Sequence, residues 1–163
     1  MKSMNGGDRF FSPTRGEITL DEIVVRIASF LREDREKQYQ VIIGSDSQSR
    51  GKVTELVVAI VVHRRGNGGI YFWSRKRKNQ LVTLRQRIYE EALLSLEVAG
   101  ALVKRLNEQR ILDCNLEIHV DIGQNGKTKS LVKEVVGLIQ GNGFRVKTKP
   151  EAYGASTVAD WHT

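Results

Sequence analysis

Apolar residues recur along this chain with two different periods, and each change of period marks a change of element. Leu20, Ile23, Val24, Ile27, Phe30 and Leu31 return at helical spacing. The preceding Thr19-Leu-Asp-Glu22 has the form of a capping box, in which Thr19 accepts an early helix amide and Glu22 reaches back. A helix is therefore expected from there to about Arg35. Residues 39–46 and 55–63 are short apolar runs of strand length, separated by a polar turn over 47–52. After the turn signal Arg64-Arg-Gly-Asn-Gly-Gly69, Ile70-Tyr-Phe-Trp73 reads as a third strand, and the three together as an antiparallel meander. Leu84, Ile88, Ala92, Ser95, Ala99, Leu102 and Leu106 then form the inner stripe of a long helix over 84–108. A strand over 116–120 follows, then a helix over 129–140 closed by Gly141-Asn-Gly143, and a last short strand over 144–147. Ser156 can cap a final helical turn. Residues 1–17, with Gly6-Gly7 and Ser12-Pro13, read as an irregular arm ahead of a single domain over 18–163. The expected architecture is α/β: a mixed five-stranded sheet in the order β-β-β-α-β-α-β-α, with an additional N-terminal helix.

Composition narrows the class of protein. A length of 163 residues suits one domain with a real core. The longest apolar stretch, residues 56–62, is too short to cross a bilayer, so no membrane association is expected. The first residues lack an apolar signal core, and a cytoplasmic location follows as an expectation. The lone Cys114 excludes an intramolecular disulfide and a multi-cysteine zinc site. A formal net charge of +7 calls for anionic partners, with nucleic acid the first candidate.

Against that basic background, two apolar runs end on a carboxylate. Asp46 follows Tyr39-Gln-Val-Ile-Ile-Gly-Ser, and Asp121 follows Leu116-Glu-Ile-His-Val. A charge beside a core needs a partner, and a metal ion is a good one. Singly, each aspartate could instead accept amides of its own turn; the repeated pattern favours a shared ion. In the long helix, a step of 100° per residue puts Glu91 at the edge of the inner stripe and Glu90 toward solvent, so Glu91 is the candidate third ligand. Asp121-Ile-Gly-Gln-Asn-Gly-Lys-Thr128 mimics a phosphate-binding loop, but the pattern requires a glycine where Asp121 stands. Nucleotide hydrolysis is thus the weaker option, although Lys127 can still meet a substrate phosphate. Arg75, Lys76, Arg77 and Lys78, placed between the third strand and the long helix, form a candidate nucleic-acid-binding surface, with Lys149 toward the other end of the chain. Tyr71 and Trp73 are candidate base-stacking residues.

Ile43-Gly-Ser-Asp-Ser-Gln48, Val120-Asp-Ile-Gly123 and Val158-Ala-Asp-Trp-His-Thr163, together with the element order, resemble the YkuK-like family of ribonuclease H-like proteins. The likeness covers the chain from about Phe10 to its end. It implies a ribonuclease H-like fold with four acids, matched here by Asp46, Glu91, Asp121 and Asp160, as ligands of two Mg²⁺ or Mn²⁺ ions. His162, beside the last acid, is then a candidate to protonate a leaving group or to bind metal. The wider superfamily implies metal-dependent phosphodiester hydrolysis of RNA, DNA or a hybrid. The alternative is a non-catalytic nucleic-acid-binding module that keeps the fold and the charge. Oligomeric state is not legible.

Overall fold

The computed structural model describes residues 8–111, 114–152 and 162. Its frame is a meander of three long antiparallel strands, β3 (Tyr39–Arg50), β4 (Val53–Arg64) and β5 (Gly69–Asn79). Helix α2 (Leu84–Glu108) then carries the chain back across one face of the sheet to β6 (Cys114–His119), which pairs parallel with β3. A 3₁₀ turn at Lys129–Leu131 leads into α3 (Val132–Gly141), and β7 (Arg145–Lys147) adds parallel to β6. Ahead of the meander lie β1 (Phe10–Ser12), β2 (Gly16–Ile18) and α1 (Leu20–Glu33). The sheet has seven strands in the order β2-β1-β5-β4-β3-β6-β7.

The helix-facing side holds the main core. Alternate residues of β3 and β4 (Val41, Ile43, Leu56, Val58, Ile60, Val62) pack with Ile23 and Ile27 of α1 and Ala99 and Leu102 of α2. Burying each such side chain contributes about 2 kcal/mol, so this side dominates the stability. The other side has a much smaller cluster, Val57 and Ala59 flanked by Val61, Tyr71 and Trp73. Both long helices start as the sequence dictates, with complete capping boxes at Thr19/Glu22 and Thr83/Gln86. Among the described residues, no helix is long and apolar enough to cross a membrane.

Several expectations need correction. The sheet has seven strands rather than five, because residues 10–18 of the supposed arm form a hairpin. Phe10 is fully buried and Phe11 pairs with Trp73, so this segment belongs to the domain; it also puts two strands ahead of α1. The meander strands also run well past their apolar parts. β3 continues to Arg50, and Arg75–Lys78 lies within β5 rather than in a loop. Backbone pairing persists from Arg50↔Val53 and Val53↔Asn79 inward, because ladder hydrogen bonds do not depend on side-chain polarity. The final helical turn expected near Ser156 lies outside the described residues.

Candidate functional site

The parallel pairing of β3 with β6 ends at Gly44↔His119. Asp46 follows that pair by two residues within β3, and Asp121 follows it by two residues where the chain turns out of β6, so both lie close to the end of the parallel pairing. Asp46 is half-buried within β3, opposite Val57 of β4, rather than at a strand tip. What ends beside it is β6. Asp121 is exposed just beyond β6, and its Oδ1 lies 3.0 Å from Lys149 Nζ.

Glu91 approaches this end of β3 from α2. Ser47 Oγ donates a 2.5 Å hydrogen bond to Glu91 Oε1. Four residues along the helix, the Ser45 and Ser95 hydroxyls bond at 2.7 Å in the core, fixing α2 against β3. The Glu91 carboxyl is pushed up to about 8, first by desolvation and then by the charges of Asp46 and Asp121. Hydrogen bonding from Ser47 and the charge of Arg87 oppose that rise only in part. Glu90 instead forms an ion pair with Lys78, so the glutamate turned toward the aspartates is Glu91. Near neutral pH, Glu91 is held mostly protonated.

The donor set suits a hard divalent cation: three carboxyl groups, one of them kept neutral chiefly by burial and further by its acidic neighbours. Among the described residues, no three His, Cys, Asp or Glu side chains stand ready to hold one ion. Ser47 holds Glu91 Oε1 and Lys149 pairs with Asp121 Oδ1, so one oxygen of each carboxyl group is already engaged.

The remaining candidates are spread more widely. Asp160 lies outside the described residues. His162 stacks on Trp73, with ring centroids 4.1 Å apart, and its backbone carbonyl accepts from Arg75. Burial and the Arg75 charge both depress its pKa, so the ring is neutral at pH 7. Trp73 is two strands from β3, and no described contact joins His162 to the carboxylates. The basic run 75–78 is divided by strand alternation. Arg75 pairs with Val57, itself opposite Asp46, and so shares the face of Asp46. Lys76 and Lys78 point to the α2 side, where they pair with Glu97 and Glu90, while Arg77 pairs with Glu55. Lys127 is exposed in the loop after Asp121. In that loop Gly123 N–H donates to Thr128 Oγ1, and Lys149 Cβ lies 3.0 Å from where a Gly123 side chain would begin. The loop is closed on itself instead of forming an open phosphate cradle.

Sequence reasoning passed over the buried polar group just before Asp121. Glu117 Oε1 accepts from Gln40 Nε2 at 2.5 Å and lies 2.8 Å from His119 Nε2, with Lys147 Nζ at 3.6 Å. Glu117 and His119 are buried, on the same face as Asp46. Their signal was present: two polar residues at alternate positions within an apolar strand share one face. Ser47 was also missed, because residues 47–52 read as a turn.

Residues 22–163 match the family model described as Ribonuclease H-like. The chain is also similar to the uncharacterized protein YkuK of Bacillus subtilis (strain 168), with 30% identity over 169 residues, covering 94% of this chain and 96% of that protein. No solved structure gives a significant match.

Proposed function

The chain belongs to the Ribonuclease H-like family, in its YkuK-like branch, and from that premise we propose a divalent-metal-dependent phosphodiesterase acting on RNA, DNA or a hybrid of the two. The observation that carries this reading is the electrostatic coupling of Asp46 and Asp121 to the buried Glu91, whose pKa both aspartates help burial to raise. Such mutual repulsion costs stability unless a cation relieves it. Asp46 and Asp121, with Glu91, would hold Mg²⁺ or Mn²⁺, and Asp160 joins them on the family resemblance alone. Two such ions, when bound, supply a hydroxide nucleophile and stabilise the leaving oxygen. The chain's own contribution is to position the donors. β3 carries Asp46, β6 leads into Asp121, Ser47 orients Glu91, and the Ser45–Ser95 bond holds α2 against β3. Lys149 is released from Asp121 when a cation takes that carboxylate, and becomes available to a substrate phosphate together with Lys127 and, on the face of Asp46, Arg75.

The second reading is a non-catalytic nucleic-acid-binding module. It is favoured by the present pairing of Asp121 with Lys149 and of Glu91 with Ser47, which leaves the acids internally satisfied. Labelled DNA, RNA and hybrid substrates incubated with Mg²⁺ or Mn²⁺ separate the two. The enzyme reading expects cleavage of at least one substrate, abolished in Asp46→Asn and Asp121→Asn while binding persists. Binding without cleavage across the panel would establish the module instead.

A further inference from the structure

The end of the sheet remote from the carboxylates carries a cavity of about 370 Å³. Arg32, Arg35, Lys37 and Arg110 line its rim, and Leu31, Tyr39 and Ile111 form an apolar floor. No described acidic residue lines it. Among the described residues none of these four cations has a carboxylate partner. Four like charges around one cavity repel one another unless an anion sits between them.

An independent feature of the backbone points to the same place. Helix α2 ends in a Schellman motif, with Ile111 N–H bonded to Leu106 O at 2.9 Å and Arg110 N–H to Asn107 O at 3.0 Å. Arg110 occupies the left-handed position of that motif, at φ 56°, and it is the one described non-glycine residue with positive φ. Glycine is the usual occupant because it has no Cβ to clash. An arginine there gives up backbone ease in exchange for a side chain that reaches the cavity. Strain retained at a site that also gathers unpaired charge is a mark of ligand binding.

We propose that this cavity is a second site, for a phosphorylated small molecule of the nucleotide class. The four cations receive the phosphates, and the floor of Leu31, Tyr39 and Ile111 receives an apolar or aromatic body. The volume lies at the lower end of the range for small-molecule pockets, which fits a single nucleotide better than a polymer. It is also distinct from the carboxylate site. Tyr39 begins β3 and Asp46 lies seven residues further, roughly 23 Å along the strand. The proposal does not depend on the nuclease reading.

The test uses the full chain in EDTA, with adenosine triphosphate and inorganic pyrophosphate as probes, read by calorimetry and thermal unfolding. Binding of both is expected, with the nucleotide about tenfold tighter because it also covers the floor. Arg110→Gly is the informative variant, since glycine suits the left-handed position. Its unliganded unfolding midpoint should stay or rise while affinity for both probes falls about tenfold or more. Asp46→Asn should bind both as the wild type does. Failure of the wild type to bind either probe, or undiminished binding by Arg110→Gly, would overturn the site. Equal affinity for the two probes would overturn the nucleotide assignment. So would binding of a nucleic-acid duplex, but not of the nucleotide, that is lost in Arg110→Gly.

Discussion

Replacing Glu91 with glutamine removes one ionisable proton and nothing else of size, so it isolates the cost of burying a carboxyl near Asp46 and Asp121. The folded chain holds the Glu91 proton up to about pH 8, whereas the ordinary value is 4.5. Below the ordinary value both the folded and unfolded chains carry the proton, and the full stability is present. Between the two values only the folded chain keeps it, so stability falls as pH rises, by up to about 1.4 kcal/mol per pH unit. Across the interval this sums to about 4–5 kcal/mol, a large share of the 5–15 kcal/mol typical of a whole domain. Glutamine keeps the oxygen that accepts from Ser47 but carries no charge at any pH. Urea unfolding of both proteins in EDTA, from about pH 5 to about pH 9, gives the comparison directly. The two should agree near the acid end, and Glu91→Gln should become the more stable by about 4 kcal/mol at the alkaline end. Parallel profiles, or a variant no more stable than wild type above pH 8, would refute the desolvated, repelled carboxyl.

Other substitutions address the supports of the site. Lys149 and Asp121 are about half exposed, so Lys149→Met should change stability by no more than about 0.5 kcal/mol. The same change should tighten Mn²⁺ binding, measured by calorimetry, because a competing cation is gone. Ser45→Ala or Ser95→Ala should each cost about 1–3 kcal/mol in urea unfolding, by leaving the buried partner hydroxyl unsatisfied. The double variant should cost less than the sum of the singles, a coupling that a double-mutant cycle detects.

Where local physics decided the outcome, the sequence was a good guide. Thr19 caps its helix as expected because an N-cap hydroxyl and a reaching N3 side chain are local devices; the same box at Thr83 and Gln86 was not singled out. Glu91 could be separated from Glu90 because helical phase is fixed by geometry. Strand ends were misjudged because apolar content reports burial, while pairing reports hydrogen bonds. Ser47 and Arg75 are polar yet fully paired, so a turn and a loop were expected where the meander continues. The hairpin at Phe10–Ile18 was missed because three-residue strands carry too little alternation to stand out, and its place in the sheet depends on Phe11 pairing with Trp73, distant in sequence. Lys149 pairing with Asp121 and the gathering of Arg32 and Arg110 in one cavity depend on segments distant in sequence.

The claim that these carboxylates form a divalent-cation site can be tested by counting protons. Metal coordination requires deprotonated ligands, and Glu91, with its pKa near 8, is about nine-tenths protonated at pH 7. Calorimetric titration with Mn²⁺ at pH 7, in two buffers of different ionisation enthalpy, reads the protons released on binding. The account predicts release of about one proton from the wild type and almost none from Glu91→Gln. Absence of Mn²⁺ binding, or equal proton release from the two proteins, would contradict it.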